Sequence, residues 1–229
     1  MPASIRLLST LAVMGAMRDL SAAYQARSGC AVEADFSPTV ALLERLRGGE
    51  RADIAILTAQ GIDDLIGQGI MRPGSRTDVA RSFVGIAVKA GAPKPDIGTV
   101  EAFKAALLAA RSVCYSRIGA SGLYFAALIE RLGIAEAVNA KATVASTGFT
   151  AERLVSGEAD LAVQQISELM VVPGIEVVGG LPAEVQTVAM FSAGLLTASD
   201  NPDAAADFAR FLASEEAEPL LRRTGLEPA

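Results

Sequence analysis

Ala145-Ser146-Thr147-Gly148-Phe149-Thr150-Ala151-Glu152-Arg153-Leu154-Val155-Ser156-Gly157-Glu158-Ala159-Asp160-Leu161-Ala162-Val163-Gln164-Gln165 reads, in order, as a strand end, a polar loop, one short helix, a glycine stop, a buried strand and two amides where that strand runs out. Strand, polar corner and helix in succession build open α/β sheets, in which a ligand sits at the carboxyl ends of the strands. Hydroxyls and unpaired backbone N–H groups at a helix start attract anions. Ser146-Thr147-Gly148 and Gln164-Gln165 therefore mark two strand ends as candidate ligand positions. Thr147 or Thr150 fits the role of a helix N-cap as well, and Gln165 fits the task of satisfying backbone groups.

The same corner recurs along the chain. Ile5-Arg6-Leu7-Leu8 ends at Ser9-Thr10 before a helical pattern carried by Val13, Met17, Leu20 and Tyr24, which Gly29 stops. Ala31 to Phe36 alternates as a strand, and Ser37-Pro38-Thr39 opens a helix with Leu42, Leu43 and Leu46 on its apolar side. Ala52 to Leu57 is a third strand with Thr58-Ala59-Gln60 at its end, and Pro73-Gly74-Ser75 marks a loop. Ser82 to Lys89 is strongly β-type, and a helix capped by Thr99 follows the irregular Gly91 to Pro95. Ser112 to Ser116 is a strand ending in Arg117-Ile118-Gly119-Ala120-Ser121-Gly122, before a helix over Leu123 to Leu132. Strands alternating with helices imply parallel sheets. Two long β segments, near 83 and near 187, bracket a central block, and two helices near 202–213 and 215–223 close the chain. The pattern predicts two lobes joined by two crossing strands, a hinge geometry, with residues 1–84 and 190–229 in one lobe and 85–189 in the other.

Composition narrows the chemistry. With 229 residues, 51% hydrophobic and 20% charged, the chain is long enough for one large α/β domain or for two lobes, each with a core of its own. Net charge is −6, from 26 acidic against 20 basic residues, and the basic residues are scattered, so nucleic acid is not an expected partner. There is no histidine, which removes Ser-His-Asp hydrolysis, Cys-His catalysis and the usual zinc sites. No metal and no cofactor are expected; Gly119 and Gly122 complete neither a dinucleotide fingerprint nor a P-loop. Cys30 and Cys114 read as reduced packing residues. No stretch has the length of a membrane span, so no membrane insertion is expected. Met1-Pro2-Ala3-Ser4 leads straight into the first strand without a secretory signal, which predicts a cytoplasmic protein as written, and a periplasmic one if a leader was removed.

With the strand–Ser-Thr–helix start, Ser37-Pro38-Thr39, Ala52-Asp53-Ile54, Gly157-Glu158-Ala159-Asp160 and the Ala-rich terminal helices ending at Gly225-Leu226-Glu227-Pro228, the chain resembles the periplasmic molybdate-binding protein family from about residue 5 to 225. The resemblance implies the α/β, two-lobed type 2 periplasmic-binding-protein fold. Each lobe would be a mixed, mainly parallel sheet flanked by helices. It also implies an oxyanion held between the lobes by hydroxyls and backbone N–H groups at helix starts. Carried onto this chain, the first-helix serine falls on Ala12, with Ser9 and Thr10 just before it. The second falls on Thr39, the backbone donors fall near Ser121 and Gly148, and the cleft tyrosine falls on Gln165. Ser9, Thr10, Thr39, Ser121, Thr147 and Gln165, with Arg117 close by, form the expected ligand set; Arg117 suits bidentate pairing with a carboxylate or, equally, a solvated surface. The small anionic partner is then a tetrahedral, molybdate-like oxyanion or a di- or tricarboxylate. An ABC permease would be a partner only of an exported form.

The broader family includes aconitate isomerase, so the alternative is a cofactor-free isomerase of an unsaturated polycarboxylate, with Tyr115, Tyr124, Glu168 or a hydroxyl as candidate base. An intracellular ligand-sensing module is a third reading, though no DNA-binding segment accompanies it.

Overall fold

The computed structural model describes residues 4–229; Met1-Pro2-Ala3, read above as the approach to the first strand, lie outside the described residues. The elements, in chain order, begin with β1 (Ser4–Thr10), a 3-10 turn (Leu11–Val13), α1 (Met14–Ser28), β2 (Ala31–Ser37), α2 (Thr39–Arg47), β3 (Ile54–Thr58), α3 (Ala59–Gly67) and β4 (Thr77–Lys89). There follow α4 (Val100–Ala109), β5 (Val113–Ser116), α5 (Ala120–Arg131), α6 (Ala135–Asn139), β6 (Ala142–Ala145), α7 (Glu152–Val155), β7 (Leu161–Gln165) and α8 (Ile166–Leu169). The chain ends with β8 (Ile175–Gly180), a 3-10 turn (Ala183–Val185), β9 (Val188–Leu195), α9 (Pro202–Leu212), α10 (Glu218–Arg222) and β10 (Glu227–Pro228). None of the described helices is long and apolar enough to cross a membrane.

Two compact units emerge, one of Met1–Ser82 with Ala189–Ala229 and one of Phe83–Val188, where the sequence suggested breaks at 84/85 and 189/190. In the first unit β1 pairs in parallel with β2 and β3, and β9 runs antiparallel beside β3. The start of β4 takes β10 antiparallel through Arg81 and Ala80. Side-chain alternation along β1 puts Ile5 and Leu7 against Val13, Met17, Leu20, Phe208 and Phe211. It puts Leu8 on the other face with Leu42, Leu46, Ile62 and Leu65. Both faces are therefore covered by helices, as a parallel sheet requires.

The second unit repeats this plan. β5 lies between β6 and β7 in parallel, and the second half of β4 runs antiparallel to β7 and to β8. Leu161 and Val163 of β7 pack with Phe103, Phe125 and Leu128, whereas Ala162 packs with Cys114, Ala151, Leu154 and Leu169. Cys30 and Cys114 are free and buried. Burial pushes the Cys114 thiol up to about 12, the behaviour of an inert packing residue.

Five elements depart from the sequence reading. β4 starts at Thr77 rather than near Ser82, and α3 takes in Ala59 and Gln60, which were expected before the helix. α5 begins at Ala120, three residues into what reads as a loop, and α6 has no counterpart in the sequence pattern. β8 contains Gly179-Gly180 as a paired strand; a Cβ at the facing Gly85 would stand 2.9 Å from the Gly179 carbonyl oxygen, so glycine permits the close approach.

Candidate functional site

Parallel pairing sets the carboxyl ends of β1, β2 and β3 at one end of the first unit's sheet, and those of β5, β6 and β7 at one end of the second's. The polar residues singled out from the sequence stand at these ends. In the first unit Ser9 and Thr10 close β1, with Thr10 level with Ser37, and Thr39 opens α2; Ser9, Thr10 and Thr39 are all buried. The Ser9 hydroxyl donates to the Thr10 carbonyl, 3.1 Å away, so its hydrogen is used locally. Thr10 and Thr39 differ from the threonines at two other helix starts. Thr58 caps α3 by accepting from the Gly61 N–H at 3.2 Å, and Thr99 caps α4 by accepting from the Ala102 N–H at 3.1 Å. No side chain caps the turn that follows Thr10, nor α2 behind Pro38. Their first N–H groups are left for another acceptor.

In the second unit α5 opens behind Gly119, again with no side-chain cap, and Ser121 is buried in its first turn. Gly122 makes that placement possible. A Cβ there would lie 1.6 Å from the Ser116 carbonyl oxygen, so only glycine lets α5 press onto the end of β5. Gly122→Ala is expected to destabilise the unit by about 1–3 kcal/mol through overpacking, seen as a lower denaturation midpoint; an unchanged midpoint would mean that the turn relaxes freely.

Arg117 follows β5 and is exposed. Its guanidinium lies 5.8 Å from the centre of the Tyr115 ring, donates to the Tyr115 hydroxyl at 3.1 Å and reaches Asn139 Oδ1 at 3.4 Å. Tyr115 itself donates to Asn139. Tyr124 donates to the Val185 carbonyl at 2.7 Å. Both tyrosines named as possible bases thus have their hydroxyls engaged in packing contacts. Thr147 is exposed on the loop after β6. One residue on, Gly148 adopts φ +69°, and the Glu152 carboxylate lies 2.9 Å from where a Cβ would stand, a like charge beside any anion at that corner.

The two glutamines ending β7 do different work. Gln164 Oε1 accepts from both the N–H and the hydroxyl of Thr150, at 2.8 and 2.9 Å, fastening the 146–151 loop to the strand. Gln165 is 2% exposed, and its Oε1 has no hydrogen-bond partner among the described residues. One helical turn on, Glu168 is 7% exposed and accepts from the Gln165 backbone N–H at 3.3 Å, the carboxylate half of a capping box. Burial pushes its carboxyl up, and the hydrogen bonds from Gln165 N–H and the Gln164 side chain offset this only in part, leaving it at about 7. The sequence names Glu168 only as one candidate among several, because nothing in the order of residues reveals that it is buried. Among the described residues no group of three or more His, Cys, Asp or Glu side chains is placed to hold a metal ion.

Two α/β units, each presenting hydroxyls and open helix starts at the carboxyl ends of its parallel strands, define the chain as an α/β protein of the periplasmic binding-protein fold. Residues 5–227 match the model of the bacterial extracellular solute-binding protein family, and the chain belongs to that family. A protein described as aconitate isomerase, from a Pseudomonas species, is 34% identical over 98% of this chain and 88% of its own length. Among solved structures, the Azotobacter vinelandii periplasmic molybdate-binding protein superposes with a TM-score of 0.82 at 18% identity, over 97% of this chain and 98% of the other. The sulfate-binding protein of Mycobacterium tuberculosis does so with a TM-score of 0.78 at 16% identity, over 99% and 87%. At such identities these two establish the fold alone.

Proposed function

We propose that the chain binds a small polycarboxylate and interconverts its double-bond isomers, as an isomerase of the aconitate type. One observation carries the anion reading: buried Thr10, Thr39 and Ser121 stand at strand-to-helix corners whose first N–H groups no side chain caps. Such groups donate without carrying charge, and they hold an anion whose charge shifts during reaction without having to move. The 34% identity to a protein described as aconitate isomerase supports the substrate class. Moving the double bond of an unsaturated tricarboxylate needs one proton removed and one returned beside a stabilised carbanion, and no redox step.

A second reading, a binder of a tetrahedral oxyanion without turnover, is favoured by the state of Arg117. Its guanidinium is folded onto Tyr115 and Asn139 rather than presented for bidentate pairing with a carboxylate.

Melting curves with molybdate, tungstate, sulfate, phosphate, citrate and both aconitate isomers, followed by proton NMR on every hit, separate the two. A ligand at ~100 times its Kd adds roughly 2.7 kcal/mol of stability. The expected result is stabilisation by polycarboxylates with one aconitate isomer converting to the other; stabilisation by molybdate or tungstate alone would exclude the isomerase. The Thr39→Ala/Ser121→Ala double variant is expected to fold and to lose the ligand-induced shift, and a retained shift would rule out these two side chains as ligand contacts.

A further inference from the structure

Glu168 occupies a position where glutamine would serve the local structure equally well. A capping box accepts Glu or Gln at the third helical position, and here the side chain is 7% exposed, where ionisation is costly. The groups that face it are the Gln165 backbone N–H, 3.3 Å away, and the Gln164 side chain. No charged side chain of the described residues figures among the influences on its protonation. Glu168 stands three residues beyond the end of β7 at Gln165, whose side chain forms the other half of the capping box and whose buried Oε1 makes no full hydrogen bond, so a donor arriving at this end of β7 meets an acceptor and a carboxyl within one helical turn. The two tyrosines that could compete for proton transfer are bonded elsewhere, to Asn139 and to the Val185 carbonyl.

We propose that Glu168 is the catalytic acid–base group that takes and returns the substrate proton, an assignment that rests on the polycarboxylate isomerase reading. The Glu168 carboxylate removes a proton from the substrate methylene carbon that lies between a carboxylate and the double bond. The C–H electron pair delocalises over the allylic carbons and the adjoining carboxylates. The new double bond forms one carbon along, and Glu168, now protonated, delivers its proton to the far carbon of the allylic system. One proton leaves, one arrives, and nothing is oxidised or reduced. A group held near neutrality by burial is matched to both halves of this exchange.

The test uses the full chain as wild type, Glu168→Gln and Glu168→Asp. Conversion of cis- and trans-aconitate in deuterium oxide is followed by proton NMR, with melting curves on the same ligands. The expected result is conversion in wild type, with deuterium entering the far carbon only as far as the protonated Glu168 exchanges with solvent before delivery, and a loss of about 100-fold or more in Glu168→Gln. Glu168→Gln should keep its ligand-induced melting shift, and Glu168→Asp should retain part of the activity. Conversion by Glu168→Gln within a few-fold of wild type would overturn the role of Glu168 and leave the isomerase reading intact. Binding without conversion by wild type would overturn the isomerase reading and this role with it. Should Glu168→Gln fail to fold, the pH profile of wild-type kcat/KM decides: an ionisation near 7 supports the assignment, and its absence overturns it.

Discussion

Asp53→Ala is expected to lower the stability of the chain by about 3 kcal/mol or more, a fall in Tm of roughly 6–12 °C for a protein of this size. Asp53 is 5% exposed, at the foot of β3, and its carboxylate gathers donors from two distant parts of the chain. The Arg6 N–H donates to it at 2.9 Å from β1. The Ser199 hydroxyl at 2.7 Å and the N–H groups of Asp200 at 3.1 Å and Asn201 at 2.9 Å donate from the segment entering α9. Alanine leaves these part-buried donors unpaired, and a buried donor without a partner costs about 1–3 kcal/mol. The sign of the pH effect follows from the same contacts. Burial raises the Asp53 carboxyl first, but the donors outweigh it and hold it below its ordinary value of 3.8. The ionised form is thus favoured in the folded state, so its contribution is full above 3.8 and is lost as the pH falls through the folded value. Denaturant titrations at neutral and acid pH would check both points. A variant as stable as the wild type at neutral pH would mean that water replaces the carboxylate without loss.

Asp53 also shows which parts of the molecule could be read from residue order. Ala52-Asp53-Ile54 is visible as the start of a strand, because β-branched and apolar residues follow at once. Its donors lie 47 residues before it and up to 148 after it, separations to which no local pattern refers. The elements that were legible are those with strong periods and sharp stops: α1 between Thr10 and Gly29, α2 behind Pro38, α4 behind Thr99. Those misread depend on distant chain. The first half of β4 carries Asp78 and Arg81 and looks like loop; it is a strand because β10 returns from the chain terminus to pair with it. Gly119 to Gly122 looks like punctuation, yet Gly122 is helical because α5 is pressed against the Ser116 carbonyl. The same limit applied to the candidate site. Hydroxyls before helices were legible as corners at Thr10, Thr39 and Ser121, but so were Thr58 and Thr99, and only coordinates separate the capped starts from the uncapped ones.

Glu168→Gln is expected to be more stable than the wild type at alkaline pH, the reverse of the effect at Asp53. Both are buried carboxyls, but Asp53 has donors enough to hold its charge, whereas Glu168 has one backbone N–H and one amide side chain. For Glu168 burial dominates, and its carboxyl rises from 4.5 to about 7 in the folded chain. Below 4.5 both states hold the proton and no difference exists. Between 4.5 and about 7 the unfolded chain releases it while the folded chain keeps it, so stability falls as the pH rises, and above about 7 the loss is complete. The shift corresponds to roughly 3 kcal/mol at 1.36 kcal/mol per pH unit. Glutamine keeps a carbonyl oxygen for the Gln165 N–H and carries no charge to bury. The variant should therefore match the wild type near pH 4.5 and exceed it at about pH 8.5, by roughly 6–12 °C in Tm. A variant equal to or weaker than the wild type across that range would mean that the Glu168 charge is solvated or paired in the folded chain. The same result would remove the reason to expect a carboxyl poised near neutrality at the end of β7. If the gain appears, the chain retains at this position a charge that weakens its fold at neutral pH, and stability given up at one buried acid is the mark of a group kept for chemistry rather than for packing.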